Sequence, residues 1–281
     1  MLEQAAGLSS HALQAIAELE ARVVEADGGR LKLEWRALRS RSGERVEDLL
    51  WWEGDSLLGF LGIYGYGSTI ELAGMVAPDA RRRGIATALL DAAAPLCRER
   101  GCREALLIVP RASTAGKRLA LRRGAVLHHS EHALVLTGEP NSGPHDPTLG
   151  VRPATVTDVP FISRLLEIGF GHPAPDDLVG RLNLPDERVV IIELRGSAVG
   201  TLRLNRDGTG AGIYGFVIDP HWQGRGLGRD ALRCVCTELR GEGARRIGLE
   251  VAVDNDRALA LYLAVGFTPV ITEDYLALPL S

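Results

Sequence analysis

The stretch HWQGRGLGRD, residues 221–230, decides how this chain is read. Three glycines, Gly224, Gly226 and Gly228, alternate with side chains where a helical pattern begins. Each glycine costs a helix interior roughly 1 kcal/mol relative to alanine, so three at an entrance call for a reason. Backbone N–H groups in the first turn of a helix have no acceptor inside the helix, and the helix dipole adds partial positive charge there. An anion can settle on those amides if no Cβ blocks its approach, and glycine has none. Gln223 to Arg229 therefore reads as a phosphate cradle, with Leu227 in its first helical turn and Arg225 and Arg229 as added charge. The alternative is a tight strand-to-helix turn.

The flanking sequence narrows the ligand. A dinucleotide fingerprint requires G-x-G-x-x-G, but the sixth position from Gly224 is Arg229, and no P-loop pattern occurs anywhere in the chain. Before the glycines, AGIYGFVIDP reads as a strand ending at Pro220; after them, Leu227, Ala231, Val235 and Leu239 recur every fourth residue, as one helix face would. RRIGLEVAV (245–253) is a strand, and DNDRALALYLAVGF (254–267) a short helix opened by Asp254 or Asn255 and stopped by Gly266. Upstream, VRPA (151–154), RVVIIEL (188–194) and AVGTLRLN (198–205) are strands, with a helix after Thr157 as its N-cap.

A weaker copy of the glycine stretch, ARRRGIATAL, occupies residues 80–89. Pro78 and Pro220, Gly84 and Gly226, Leu90 and Leu232, Arg103 and Arg245, Leu119 and Leu261, and Gly124 and Gly266 all differ by 142 positions. A constant offset without insertion over this length marks an internal repeat of one α/β unit. Pro95 falls inside the first copy's helix and is expected to kink or shorten it. TGEPNSGPHDPTLG (137–150), with three prolines and three glycines, reads as the linker. The expected domains are 1–137 and 151–281, joined by 138–150.

Bulk composition sets the outer limits. The chain has 281 residues, 46% hydrophobic and 24% charged, and a net charge of −4. That suits two globular domains and argues against nucleic acid as the main partner. Cys97, Cys102, Cys234 and Cys236 match no metal-binding spacing and are expected to be reduced, and no metal site is expected. The N-terminus is unlike a secretory signal, and no run of about 18 apolar residues suggests a membrane span, so a cytoplasmic monomer or homodimer is expected.

Taken together, a strand ending in VIDP, Q-x-x-G-x-G from Gln223 to Gly228, a helix, the strand GLEVAV, and N-x-x-A-x-x-L-Y-x-x-x-G-F from Asn255 to Phe267 resemble the GNAT superfamily of acyl-CoA-dependent N-acetyltransferases. The resemblance spans nearly all of 151–281; MVAPDARRRGIATALL (75–90) extends it to the first half. The tandem arrangement is similar to the mycothiol synthase group, and the ending of the second half to ribosomal-protein alanine acetyltransferases. The resemblance implies an α/β (α+β) fold of two tandem domains, each with a mixed, mostly antiparallel central sheet flanked by helices.

It further implies that acetyl-CoA is bound, with its diphosphate on Gln223–Arg229 and its pantetheine and acetyl carbonyl on the amides of Phe216, Val217 and Ile218. Asn255 matches the position that reaches the CoA arm, although a plain helix N-cap explains it as well. Transfer to an amine requires loss of a proton from the ammonium and gain of one by the departing thiolate. Tyr262 matches the family's general acid. Glu250 matches the base of the ribosomal-protein enzymes and alternates with Leu249 and Val251 on its strand. At the 142-residue offset, Tyr262 becomes Ala120, Glu250 becomes Ile108 and Asn255 becomes Ser113, so turnover is expected in the second half. Val76, Arg81, Arg82, Arg83, Gly84, Ile85 and Ala86 are then a second CoA site. The expected acceptor is a small-molecule or peptide amine, with about 169–187 as the variable acceptor loop. Asp176 and Asp177 there either attract a cationic amine or cap a helix. A non-catalytic acyl-CoA-binding regulator is the alternative function.

Overall fold

Strand exchange, rather than a simple split at the linker, organises the chain. The computed structural model describes residues 1–66, 69–175, 177–182, 184 and 186–280. It divides into two units, Met1–Glu131 with Ile271–Ser281, and His132–Val270. The first copy runs β1 (Leu2–Ala5), α1 (Ser10–Asp27), α2 (Trp35–Arg39), β2 (Asp48–Glu53), β3 (Ser56–Tyr66), β4 (Thr69–Val76), α3 (Ile85–Glu99), β5 (Glu104–Pro110), α4 (Thr114–Arg122) and β6 (Val126–Leu136). The second runs β7 (Leu149–Pro153), α5 (Val159–Phe170), α6 (Leu178–Arg181), β8 (Glu187–Leu194), β9 (Ser197–Asp207), β10 (Gly210–Ile218), α7 (Leu227–Gly241), β11 (Arg246–Ala252), α8 (Asp256–Val265) and β12 (Thr268–Pro279).

In the first unit the strand order is β1-β2-β3-β4-β5-β12, and in the second β6-β11-β10-β9-β8-β7. β4 runs parallel to β5 and β10 parallel to β11, while β3–β4, β9–β10 and β8–β9 are antiparallel. The last strand of each copy therefore ends in the other unit's sheet. Residues Glu273–Pro279 pair antiparallel with β5, and Leu134 and Leu136 lie in the second unit's core. Charge fits β12 to its place. Asp274 accepts from Arg111 at 2.9 Å and Ser130 at 2.8 Å, and Lys117 lies 2.9 Å away. Glu273, fully buried, accepts from Arg30 at 3.3 Å, and Tyr275 donates to Glu131 at 2.7 Å and accepts from Lys32. The repeat register puts Val253 and Leu259 in the second copy where the first has Arg111 and Lys117. A buried carboxylate there would lose both cations, which is costly in a low-dielectric interior.

Three local features differ from the sequence reading. The helix α3 runs its full fifteen residues through Pro95, the same length as α7, so the proline does not shorten it. The cap before α5 is not Thr157 but a capping box, in which the Thr155 hydroxyl and the Asp158 carboxylate engage each other's backbone. The segment around 138–148 is irregular but tied down: Asn141 N–H donates to Val265 at 2.8 Å, Arg233 donates to the Asn141 and Pro144 carbonyls, and Asp146 N–H donates to Asp230 at 3.0 Å. Among the described residues no helix is long and apolar enough to cross a membrane.

Candidate active site

In the second unit, β10 pairs with β11 over Gly210, Ala211 and Gly212 only, and the two strands then diverge. β4 and β5 of the first unit likewise pair only over Glu71 and Leu72, and what sets β10 apart is its other edge. Its register with β9 shifts between Tyr214 and Val217, and Gly215 takes φ +57°, a left-handed conformation that glycine adopts without a Cβ penalty. Past this bulge, Asp219 N–H bonds the Val199 carbonyl at 2.9 Å, so Val217 also turns toward β9 by alternation. Ile218 turns the opposite way, to the side β11 has left. Its carbonyl accepts from the Gln223 side chain at 2.7 Å.

The loop after β10 holds Gly224 at φ +77° and Gly226 at φ +85°, and α7 starts without a side-chain cap. Among the described residues, the N–H groups of Gly224, Arg225, Gly226, Leu227 and Gly228 have no hydrogen-bond acceptor. A Cβ built on Gly224 or Gly226 would meet nothing within 4 Å, so no neighbouring group crowds the loop at either position. Gly228 serves packing instead: a Cβ there would come 2.9 Å from Leu261 of α8. Arg225 lies over the Trp222 ring at 5.0 Å, and neither it nor Arg229 forms an ion pair among the described residues. Five open amides, a helix N-terminus and unneutralised guanidinium groups suit a diphosphate.

Tyr262 projects from α8, 8% exposed, with its ring edge-on to Phe267 at 6.1 Å. Burial pushes its phenol up to about 12, so it carries its proton at neutral pH. Leu249 and Val251 of β11 pack in the core beneath α7 and α8. Glu250 faces the opposite way, sharing a face with Gly248 and, across the ladder, Gly212. That face also carries Val189 and Ile191, which pack with Ile162 and Leu178 of α5 and α6. Tyr262 and Glu250 thus stand on opposite faces of β11. Asn255 is the N-cap of α8, accepting from Ala258 N–H at 3.0 Å. Asp177 pairs with Arg181 at 2.8 Å, while Asp176 lies outside the described residues.

Comparison with known proteins gives this geometry its context. The sequence model of the Acetyltransferase (GNAT) family matches residues 11–125 and 160–267. The chain belongs to the GNAT acetyltransferase family. It is a tandem GNAT enzyme, an N-acetyltransferase with two copies of the fold. It is 30% identical over 223 residues to a mycothiol acetyltransferase of Catenulispora acidiphila, covering 72% of this chain and 69% of that one. It is 53% identical to the N-alpha-acetyltransferase RimI of Mycobacterium tuberculosis over 58 residues, 21% of this chain and 35% of that one. A GCN5-related N-acetyltransferase from Sphaerobacter thermophilus shares the fold at a TM-score of 0.80 and 18% identity, covering 100% and 95% of the two chains. A tandem GNAT protein from the clavulanic acid biosynthesis pathway does so at 0.71 and 17%, covering 100% and 99%.

The two GNAT units are not electrostatically equivalent. The first repeats the loop's backbone: Arg82 takes φ +64° where the second unit has Gly224, and Gly84 takes φ +84°. Arg81 donates to the Val76 carbonyl at 3.3 Å, as Gln223 does to Ile218. Ile85 opens α3 and Ala86 follows, again without a side-chain cap. Yet Arg81 is held by Asp27 at 2.9 and 2.6 Å, and Arg83 by Glu53. β4 has no bulge either: it pairs with β3 in one register throughout, with Ala73 where the second unit has Gly215.

Two residues of the second GNAT unit escaped the sequence reading. Gly215 makes the bulge, and the only signal was a glycine inside a strand pattern. Asp219 anchors the loop: it accepts from Arg164 at 2.6 Å and from His221 N–H at 3.0 Å. Burial works to raise its carboxyl, but the bonds from Arg164 and His221 outweigh that and hold it at about 2. Its Arg164 partner lies 55 residues away, which no local pattern reports.

Proposed function

We propose that this GNAT chain transfers the acetyl group of acetyl-CoA to a primary amine, with turnover in the second unit. The observation that carries the reading is the run of five open amides at Gly224–Gly228 beside a β10 edge that β11 has left. Bound acetyl-CoA supplies an activated acetyl thioester. The amides of the loop and of α7 hold its diphosphate, and Arg225 and Arg229 add charge. The open edge at Phe216–Ile218, and the Ile218 N–H in particular, binds the pantetheine arm and stabilises negative charge building on the carbonyl oxygen. Glu250, directly or through water, takes the proton from the acceptor ammonium. Tyr262 holds a proton for the departing sulfur. Asn255, its side-chain oxygen committed to capping, orients α8 and the CoA arm.

The acceptor is a small-molecule or peptide amine. The small-molecule reading is supported by the relative named mycothiol acetyltransferase, whose match runs along most of the chain, whereas the RimI match covers 58 residues. Residues Val76 and Arg81–Ala86 of the first unit form a second, weaker CoA site, because Asp27 and Glu53 already neutralise two of its arginines. The test is thiol release from acetyl-CoA with a panel of aminosugar, thiol-sugar and peptide amines. Amine-dependent release is expected, and its abolition by Tyr262→Phe with Glu250→Gln. Release at the same rate with and without every amine would overturn the reading.

A further inference from the structure

The second unit carries one cation at the loop that neither the loop motif nor the repeat register marks. Arg257 lies on the first turn of α8, and its Nη1 donates to Gln223 Oε1 at 2.9 Å. Gln223 is thereby engaged at both ends, because its Nε2 donates to the Ile218 carbonyl at 2.7 Å. The bond fixes the Arg257 guanidinium against the first residue of the cradle. Close packing keeps the two helix entrances together: Gly228 of α7 leaves only 2.9 Å between a notional Cβ and Leu261 of α8. A guanidinium has five N–H donors, and here one is committed to Gln223. Among the described residues Arg257 has no carboxylate partner.

The first copy shows what a neutralised version looks like. Its equivalent of Arg257 is Ala115, and its equivalent of Gln223 is Arg81, paired bidentately with Asp27. Both copies use the first loop side chain to hold the last carbonyl of the strand. The clamp of the first copy is itself ion-paired, whereas in the second it is a neutral glutamine that holds a cation without a carboxylate partner among the described residues.

We propose that Arg257 binds the diphosphate of the acyl carrier directly, beside the loop amides. This rests on reading Gly224–Gly228 as the diphosphate cradle. The test is calorimetric titration of the full chain with CoA and with 3′-dephospho-CoA, which keeps the diphosphate and lacks the ribose phosphate. Arg257→Ala is expected to weaken both ligands by the same factor, about ten-fold or more for a lost charge-assisted contact. Arg257→Lys is expected to recover part of the loss. In a Gln223→Ala background, Arg257→Ala is expected to keep most of its effect, because the contact is with the ligand.

A loss confined to CoA, or no loss with either ligand, overturns the assignment. So does disappearance of the Arg257→Ala effect in the Gln223→Ala background, which would make Arg257 a positioning residue only. Absence of CoA binding by the wild-type chain is a separate result: it removes the cradle reading itself.

Discussion

Leu278 tests the strand exchange. It is the eleventh residue of β12, 4% exposed, and sits opposite Ala105 of β5. Truncation to alanine removes a buried isobutyl group from the first unit's core and leaves a partial cavity, a loss of about 2–5 kcal/mol. Against a typical domain stability of about 5–15 kcal/mol that is a large share. The assay is native-state hydrogen exchange read by mass spectrometry. Amides of β5 and β4 that exchange through unfolding of their unit should speed up by roughly 30-fold to several thousand-fold, the same free energy expressed as a rate. Amides of β8 and β9 should hold their protection. The reciprocal variant is Leu134→Ala, 2% exposed, from the end of the first copy. It should loosen β8 and β9 and spare β2 and β3. If Leu278→Ala loosened β8 and β9 instead, each copy would keep its own last strand and the exchange would be wrong.

Other outcomes follow from the site. Tyr262→Phe should lower kcat by roughly 100-fold while CoA affinity changes little, since only proton delivery is lost; an unchanged kcat removes Tyr262 from the acid role. Gly226→Asp should abolish CoA binding to the second unit, because it forces a side chain into φ +85° and sets a carboxylate where the diphosphate belongs; calorimetry showing retained affinity would refute the cradle. Asp219 is depressed from 3.8 to about 2 in the folded chain, so its contribution is full above the unfolded value and is lost as pH falls through that window. Denaturant melts of Asp219→Asn should show lower stability at pH 7 and a flatter decline between those two values; a decline as steep as wild type counts against the Arg164 and His221 bonds as its source. Gly215→Val should leave a folded chain with markedly lower kcat, since φ +57° excludes a branched side chain and the bulge must relax; unchanged turnover, with circular dichroism confirming the fold, would detach the bulge from catalysis.

Much of the site was legible because it rests on local rules. A glycine-rich run before a helix says where the backbone turns left-handed, and Gly224 and Gly226 take φ +77° and +85°. Asn255 was legible as a cap for the same reason. Arg257 was not, because its meaning depends on Gln223, 34 residues away, and only packing of α7 against α8 brings them together. Treating residues 138–150 as a linker missed its anchors, since Arg233 and Asp230 lie on a helix far along the chain.

By itself, the sequence determined the α/β repeat, the constant offset between copies, and which copy carries Tyr262 and Glu250, because each follows from spacing and residue type along a short stretch. Which sheet receives β6 and β12 was decided only in three dimensions. Either apolar strand pattern would satisfy either sheet edge locally. The choice follows from burying Glu273 and Asp274 where Arg30, Arg111 and Lys117 stand, and that is a property of distant residues brought together.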